Sequence, residues 1–345
     1  MKSTLNKMLS VAFLLFLTAC GGGSSGSSSN TSTPASSSNP ASGTLASLDA
    51  SNQTLASQEV ASMAHGLIGP SGVAVGVDSP KESLLYAEAF SHLDKFAGYL
   101  ADANANPAVV GVVESKSYNC PISGTYTASV NDADNNNRAS AGDTFSITHN
   151  NCVSGSVTLG GTLSFTINTL TGTYGTAPYT VGITMSFGNF SGTAAAYSMA
   201  LNGSYSVSGA TTGVNAFTQT ISASSLSASA IYAGVTRSRT LSGYSATVAR
   251  VADNTYGYIT SYTTSGTLAS SGFSGTRSVS FSTPTTFQRL GNATNPYVGA
   301  MLITGANNSA VKVTTLSNTQ VQLELDANGD SFYESSTIVD WSTLI

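Results

Sequence analysis

Charged residues are scarce in this sequence. They occupy 8% of 345 positions, where an ordinary soluble domain carries about a quarter. Twelve Lys and Arg against seventeen Asp and Glu leave a net charge of −5, so the basic face of a nucleic-acid binder is missing. Three cysteines are too few for a disulfide-dense scaffold. The deficit of charge is also uneven. Residues 144–236 contain no Asp, Glu, Lys or Arg over 93 positions, and no acid follows Asp143 until Asp253. General acid–base chemistry needs titratable groups within reach of a substrate, and near neutrality that stretch offers only His149.

Small hydroxylated residues and glycine fill the space instead. The chain has 57 Ser, 43 Thr and 34 Gly, together 134 of its 345 residues. Hydrophobic residues reach 41%, with 15 Tyr, 13 Phe and a mean hydropathy of +0.09. That is too apolar for a wholly disordered chain.

The N-terminus reads as an address. Lys2 and Lys7 precede a ten-residue apolar run, Met8 to Leu17, which is too short to span a bilayer of about 30 Å. The run ends in Leu17-Thr18-Ala19-Cys20. This resembles the signal of bacterial lipoproteins: an apolar residue, two small residues, then Cys. The resemblance implies that residues 1–19 are a signal peptide removed before Cys20. It also implies a covalent lipid on the Cys20 sulfur and an acylated amine, so that the membrane is a partner through the anchor. Several acyl chains make a stable anchor where one is marginal. Gly21 stands where an Asp would retain many such proteins at the inner membrane, so the expected location is the cell envelope at the outer membrane. The alternative is an ordinary secretory signal.

Residues 20–43 are almost entirely Gly, Ser, Thr, Asn and Pro after Cys20. They cannot bury enough surface to offset ordering entropy and read as a flexible tether reaching about 25–30 Å. Gly22-Gly23-Ser24-Ser25-Gly26 matches the hydrolase elbow G-x-S-x-G in letters only. That elbow needs a strand before it and a helix after it.

Residues 44–116 read as a helical segment. Leu45, Leu48, Leu55, Val60, Met63 and Leu67 fall near helical spacing, with His65-Gly66 as a stop. A second helix is expected from Ser79-Pro80-Lys81-Glu82, a capping box with Pro at the first helical position. Its stripe is Leu85, Ala89, Leu93, Phe96 and Leu100.

From about residue 117 to 345 the period becomes two. Val157, Leu159, Gly161, Leu163, Phe165 and Ile167 alternate with Ser, Thr and Gly. Val181 to Phe187, Tyr197 to Val207, Tyr256 to Tyr262, Val279 with Phe281, and Val321 to Leu325 behave alike. Alternation buries one face and solvates the other, which favours antiparallel pairing. The expected fold is mainly β, a large antiparallel meander of ten or so strands, barrel-like or a sandwich.

Cys120 and Cys152 remain once Cys20 is lipidated, and two Cys in an exported protein usually pair. They would staple a hairpin with arms Tyr126–Val130 and Phe145–His149, worth roughly 3.7 kcal/mol by loop closure. Centred on residue 136, that register points Tyr126 and Phe145 to opposite faces, so a bulge or a diagonal bridge is required. Free or metal-binding thiols are the alternative.

Two loops are rich in oxygen ligands. The first resembles the twelve-residue calcium loop. Asp132, Asp134 and Asn136 fall at positions 1, 3 and 5, the Arg138 carbonyl at 7, Ser140 at 9 and Asp143 at 12. Asn137 replaces the usual Gly, Asp143 replaces Glu, and the flanks read as strands. The second runs Asp326, Asn328 and Asp330, with the Phe332 carbonyl and Glu334 following. Closely spaced oxygens suit a hard cation such as Ca2+; an Asx turn satisfying its own backbone is the other reading. Residues 117–345 are also similar to uncharacterised Ser/Thr-rich lipoproteins of Gram-negative bacteria. That similarity rests on Cys120 with Gly124-Thr125, the Asp132 loop with Gly142-Asp143, and Asp326 to Trp341. The group has no established activity.

His65, His92 and His149 are scattered, and Glu88 with His92 reads as a solvated helical pair. Arg237, Arg239, Arg250, Arg277 and Arg289 either line one face that meets an anionic glycan or are ordinary surface charges. The expected function is therefore a lipid-anchored, non-catalytic structural or ligand-binding β module, calcium-stabilised. An envelope glycan hydrolase using Asp253 with Glu324, Asp326 or Glu334 is an alternative, because it needs two carboxylates about 5–10 Å apart. A membrane-spanning β-barrel is another.

Overall fold

In the computed structural model, residues 44–68, 114–136, 140–173, 176–194, 197–232, 235–273 and 277–344 are described. Cys20 and its signal, the 20–43 tether, the helix expected from Ser79, His92 and the Arg138 carbonyl lie outside them.

Fourteen antiparallel strands form one sheet, in which every strand pairs with its neighbours in sequence. The first three are β1 (Glu114–Asn119), β2 (Ser123–Asn131) and β3 (Thr144–Ser154). Seven long strands follow: β4 (Val157–Thr173), β5 (Thr176–Ala194), β6 (Tyr197–Gly213), β7 (Ala216–Tyr232), β8 (Val235–Asp253), β9 (Gly257–Ser270) and β10 (Arg277–Leu290). Four short ones complete the order: β11 (Val298–Thr304), β12 (Ala310–Thr315), β13 (Gln320–Asp326) and β14 (Ser335–Asp340). The mainly β meander read from the alternation is therefore what the chain forms. It has more strands than ten because β1, β12 and β14 are only six residues long, too short to show a period.

The alternation assigns the two faces. Leu163 and Phe165 on β4, Leu201 and Tyr205 on β6, and Val311 and Val313 on β12 point into one contiguous core. Hydroxyls occupy the other face and join strands side to side. Ser117 bonds Thr127 at 2.9 Å, Thr148 bonds Thr162 at 3.0 Å, and Thr184 bonds Ser206 at 2.9 Å. Such cross-strand pairs each contribute about 0.2–1 kcal/mol.

A crease crosses the long strands. β2 and β3 slip by one residue between Ser123 and Thr125, and the extra residue is Asn151, at φ 48°. The same event recurs between β4 and β5, where Asn189 sits at φ 49° opposite Gly161, and between β6 and β7 beside Gly203. Gly124, Gly161 and Gly203 have φ of +80°, +80° and +111°. A Cβ on Gly124 or Gly161 would collide with the carbonyl of the facing Asn, on top of about 1–2 kcal/mol for the left-handed backbone. Bulges bend a strand and raise its twist, so this row sets the curvature of the sheet.

The hairpin register differs from the one centred on residue 136. Tyr126 faces His149 and Val130 faces Phe145, so Tyr126 and Phe145 share a face; the cysteines do not set this register, because Cys120 lies beyond β2 in the β1–β2 turn, where its amide donates to the Gly124 carbonyl at 3.0 Å. Cys120 and Cys152 form a disulfide with Cα atoms 5.4 Å apart.

The N-terminal segment is only partly helical. Helix α1 spans Gln53–Gly66, whereas 44–48 is extended: Ala46 donates to the Ser278 carbonyl at 2.8 Å and Leu45 bridges Ser278 in parallel. The helix starts late because Asp49 and Asn52 build its start. Asn52 and Gln53 amides reach the Asp49 carbonyl, and Asp49 N donates to Asn52 Oδ1 at 3.0 Å. Ala56, Val60, Ala61 and Ala64 of α1 are buried to 0% exposure. The helix lies against β9, β11, β12, β13 and the closing turn α2, Trp341–Leu344. Tyr244 on β8 donates from its hydroxyl to the Ala64 carbonyl at 2.9 Å, and burial pushes that hydroxyl's pKa upward.

Candidate functional site

Both acidic loops gather their carboxylates. Asp132, Asp134 and Asp143 place ligand oxygens within 4.8 Å of one another at the β2–β3 hairpin tip, as do Asp326, Asp330 and Glu334 between β13 and β14. In each loop these oxygens also clasp the backbone. Fully buried Asp143 accepts from Ala133 N at 3.0 Å and from Ser140 N at 2.7 Å, and it takes the Ser140 hydroxyl as well. Asn136 donates its amide to Asp134 Oδ2 at 2.7 Å. In the second loop Asp326 accepts from Gly329 N and Ser331 N, and Glu334 from Ala327 N at 2.8 Å. Asn328 and Asp330 bond each other through side chain and backbone, and Phe332 N donates to Asp330 at 2.8 Å. The donor set, oxygen only and closely spaced, fits a hard cation. The same contacts are those of Asx turns that hold their own loops.

The carboxylates considered for glycan hydrolysis are dispersed by topology. In a meander successive turns alternate between the two ends of the sheet, so the β8–β9 turn that carries Asp253 and the β13–β14 loop are at opposite ends. Asp253 is committed to its own turn through Thr255 N and Tyr256 N, at 2.9 and 2.8 Å. Glu324 pairs across strands with Lys312 at 3.2 Å. His149 is buried between the rings of Tyr126 and Phe190.

The arginines are not simple surface charges. Arg237 and Arg239 on β8 both reach Glu59 of α1, and Ser270 on β9 adds its hydroxyl. Glu59 is only 1% exposed. Arg250 stacks on Tyr258, with its guanidinium carbon 4.1 Å from the ring centre, and on Phe217 at 5.0 Å. Arg289 is buried over Tyr262 at 5.9 Å. Arg277 is exposed.

Reading by composition and motif passes over both arrangements, although a signal for them exists. Arg250 keeps step with Tyr244, Ala246 and Val248, and Arg289 with Phe287, all inward residues. Their phase in the alternation turns them inward.

No family model matches the chain, and no curated protein or solved structure is significantly similar to it.

Proposed function

We propose that this chain is a lipid-anchored protein of the cell envelope whose β domain is a non-catalytic scaffold, with calcium stiffening two of its hairpin tips. The carrying observation is the convergence of three carboxylates in each acidic loop, in a chain that holds only seventeen acids. Leu17 to Cys20 supports the tether. The burial of the apolar face inward, with hydroxyls outward, supports a water-facing domain: a membrane barrel needs the reverse.

Residues Asp132, Asp134, Asn136 and Asp143 would hold one ion, and Asp326, Asn328, Asp330 and Glu334 the other. The ion supplies charge neutralisation to a cluster of like charges. Ca2+ at millimolar concentration is expected to raise the melting temperature over EDTA-treated protein, with Asp143→Asn and Asp326→Asn each removing part of the gain. Equal melting with and without calcium ends the cation reading. Mass spectrometry of the mature N-terminus is expected to find a lipid-modified Cys20; any other start, or an unmodified Cys20, ends the tether reading.

A further inference from the structure

The N-terminal segment joins the sheet at one particular end. The Ala46 carbonyl accepts from Ala306 N at 2.7 Å, and Leu48 N donates to the Ser309 hydroxyl at 3.0 Å, which pins residues 46–48 to the β11–β12 turn. Gly329 of the β13–β14 loop packs on that same turn, so closely that a Cβ there would collide with the Asn307 carbonyl. The turns after β11 and β13 both follow odd-numbered strands and so share one end of the meander. The β13–β14 loop is therefore a neighbour of the point where the 20–43 tether, reaching about 25–30 Å, meets the folded chain.

That loop holds out two aromatic rings. Phe332 is 77% exposed and Tyr333 40%. The backbone beneath them is not slack. The amides of Ala327, Gly329, Asp330, Ser331 and Phe332 all donate to side chains of the loop, and Glu334 N donates to the Leu325 carbonyl. Tyr333 is steadied by Lys312, whose ammonium stands 5.6 Å from its ring centre. Phe332 is thus presented by a backbone that has already given up its freedom, and such a preorganised anchor loses little entropy on docking. Moving a Phe side chain from water into hydrocarbon is favourable in proportion to its apolar area. Leu45, 41% exposed, adds apolar surface at the same end.

We propose that the β13–β14 loop docks on the bilayer that carries the anchor, with Phe332 entering the hydrocarbon edge and Tyr333 lying at headgroup level. The inference rests on the lipid anchor at Cys20 and adds an orientation to it: this end of the sheet meets the membrane and the opposite end points away. The tether is what selects a bilayer as partner. It keeps the loop within its own reach of that surface, which raises the surface's effective concentration, whereas the opposite end is roughly 55 Å further along a strand such as β6, of 17 residues. The carboxylates of Asp326, Asp330 and Glu334 beside Phe332 would be repelled by anionic headgroups, so the lipid that fits is zwitterionic.

The mature chain with its anchor is reconstituted in phosphatidylcholine vesicles whose acyl chains carry bromine, a short-range quencher of indole. Trp341 is the chain's single Trp and is fully buried, so an added indole reports its own surroundings by difference. Phe332→Trp is expected to be quenched and to emit at shorter wavelength than in lipid-free buffer. Val214→Trp, at the 99% exposed tip of the β6–β7 turn on the opposite end, is expected to stay unquenched. Tyr333→Trp gives a second reading, and adding Phe332→Ser to it should lower the ratio of quenched to unquenched indole about tenfold. The docking is overturned if the indole at 332 is quenched no more than the one at 214, or if Phe332→Ser leaves the Tyr333→Trp signal unchanged. Flotation and mass spectrometry keep this apart from the anchor. An unquenched indole at 332 on a chain that floats with a lipidated Cys20 overturns the docking alone. An unmodified Cys20 ends the anchor reading, and the docking then stands or falls by the quenching.

Discussion

Strand β8 carries inward arginines at both of its ends, and the two ends neutralise them differently. Near its start, Arg237 and Arg239 close on Glu59, a carboxylate brought in by α1 from 178 and 180 residues away. Near its finish, Arg250 leans on the rings of Phe217 and Tyr258, and Arg289 across the sheet is buried over Tyr262. A residue in phase with the core must turn inward whatever its charge, and the rest of the molecule then has to supply the counter-charge. At one end a helix supplies it; at the other, aromatic rings pack against the guanidinium groups.

The largest effect is expected from removing the internal counter-charge. Glu59→Ala leaves two guanidinium groups against the helix and should cost about 3–5 kcal/mol, read as a lower midpoint in urea at unchanged slope. Replacing the ion pair by apolar groups of similar size tests whether the loss is charge or packing. Glu59→Met with Arg239→Met is expected to recover most of the loss, because well-packed apolar residues often match a buried ion pair; no recovery would make the carboxylate's hydrogen bonds to Arg237 and Ser270 the larger part. At the opposite end the sign reverses. Arg289→Met should raise stability by about 1–2 kcal/mol, and a drop instead would break the contrast.

The smallest effect concerns an exposed acid at the start of the same helix. The Ser51 hydroxyl, then the Ser51 and Asn52 amides, hold the Asp49 carboxyl below the ordinary value of 3.8. A carboxyl lowered in the folded state contributes above that ordinary value, and the contribution fades as pH falls through the folded one. Asp49→Asn should therefore melt slightly lower than wild type near neutrality, the two curves converging as the pH falls through the lowered carboxyl value.

Much of the fold is legible in the sequence, and the illegible parts share a cause. The arms Tyr126–Val130 and Phe145–His149 pair and Cys120 joins Cys152, but the register is not centred between the cysteines, because Cys120 sits in the β1–β2 turn and not in the β2 arm. No alternating run is read between Val207 and Tyr256, yet β7 and β8 are there. Both change phase midway. Leu241 and Tyr244 both face inward because Gly243, at φ 57°, takes up a bulge between them. Beside Ala223 and Leu226 on β7 the register likewise slips. A period of two does not survive an inserted residue, so these strands lose their signature. Leu45 and Leu48 fail as helix for another reason: the chain there adds to the edge of β10. The acidic loops were legible as clusters, since their ligands are close in sequence; the arginine sites were not, since their partners are distant in it.

The sequence by itself determined the antiparallel meander, its apolar and hydroxylated faces and its single staple, because alternation and short hairpins are local properties of neighbouring residues. Only the tertiary structure decided where that alternation changes phase, and so which arginines enter the core. It alone placed Glu59 on one pair and Arg289 over Tyr262, because counter-charge and packing are matched through space after the sheet has curved and α1 has packed upon it.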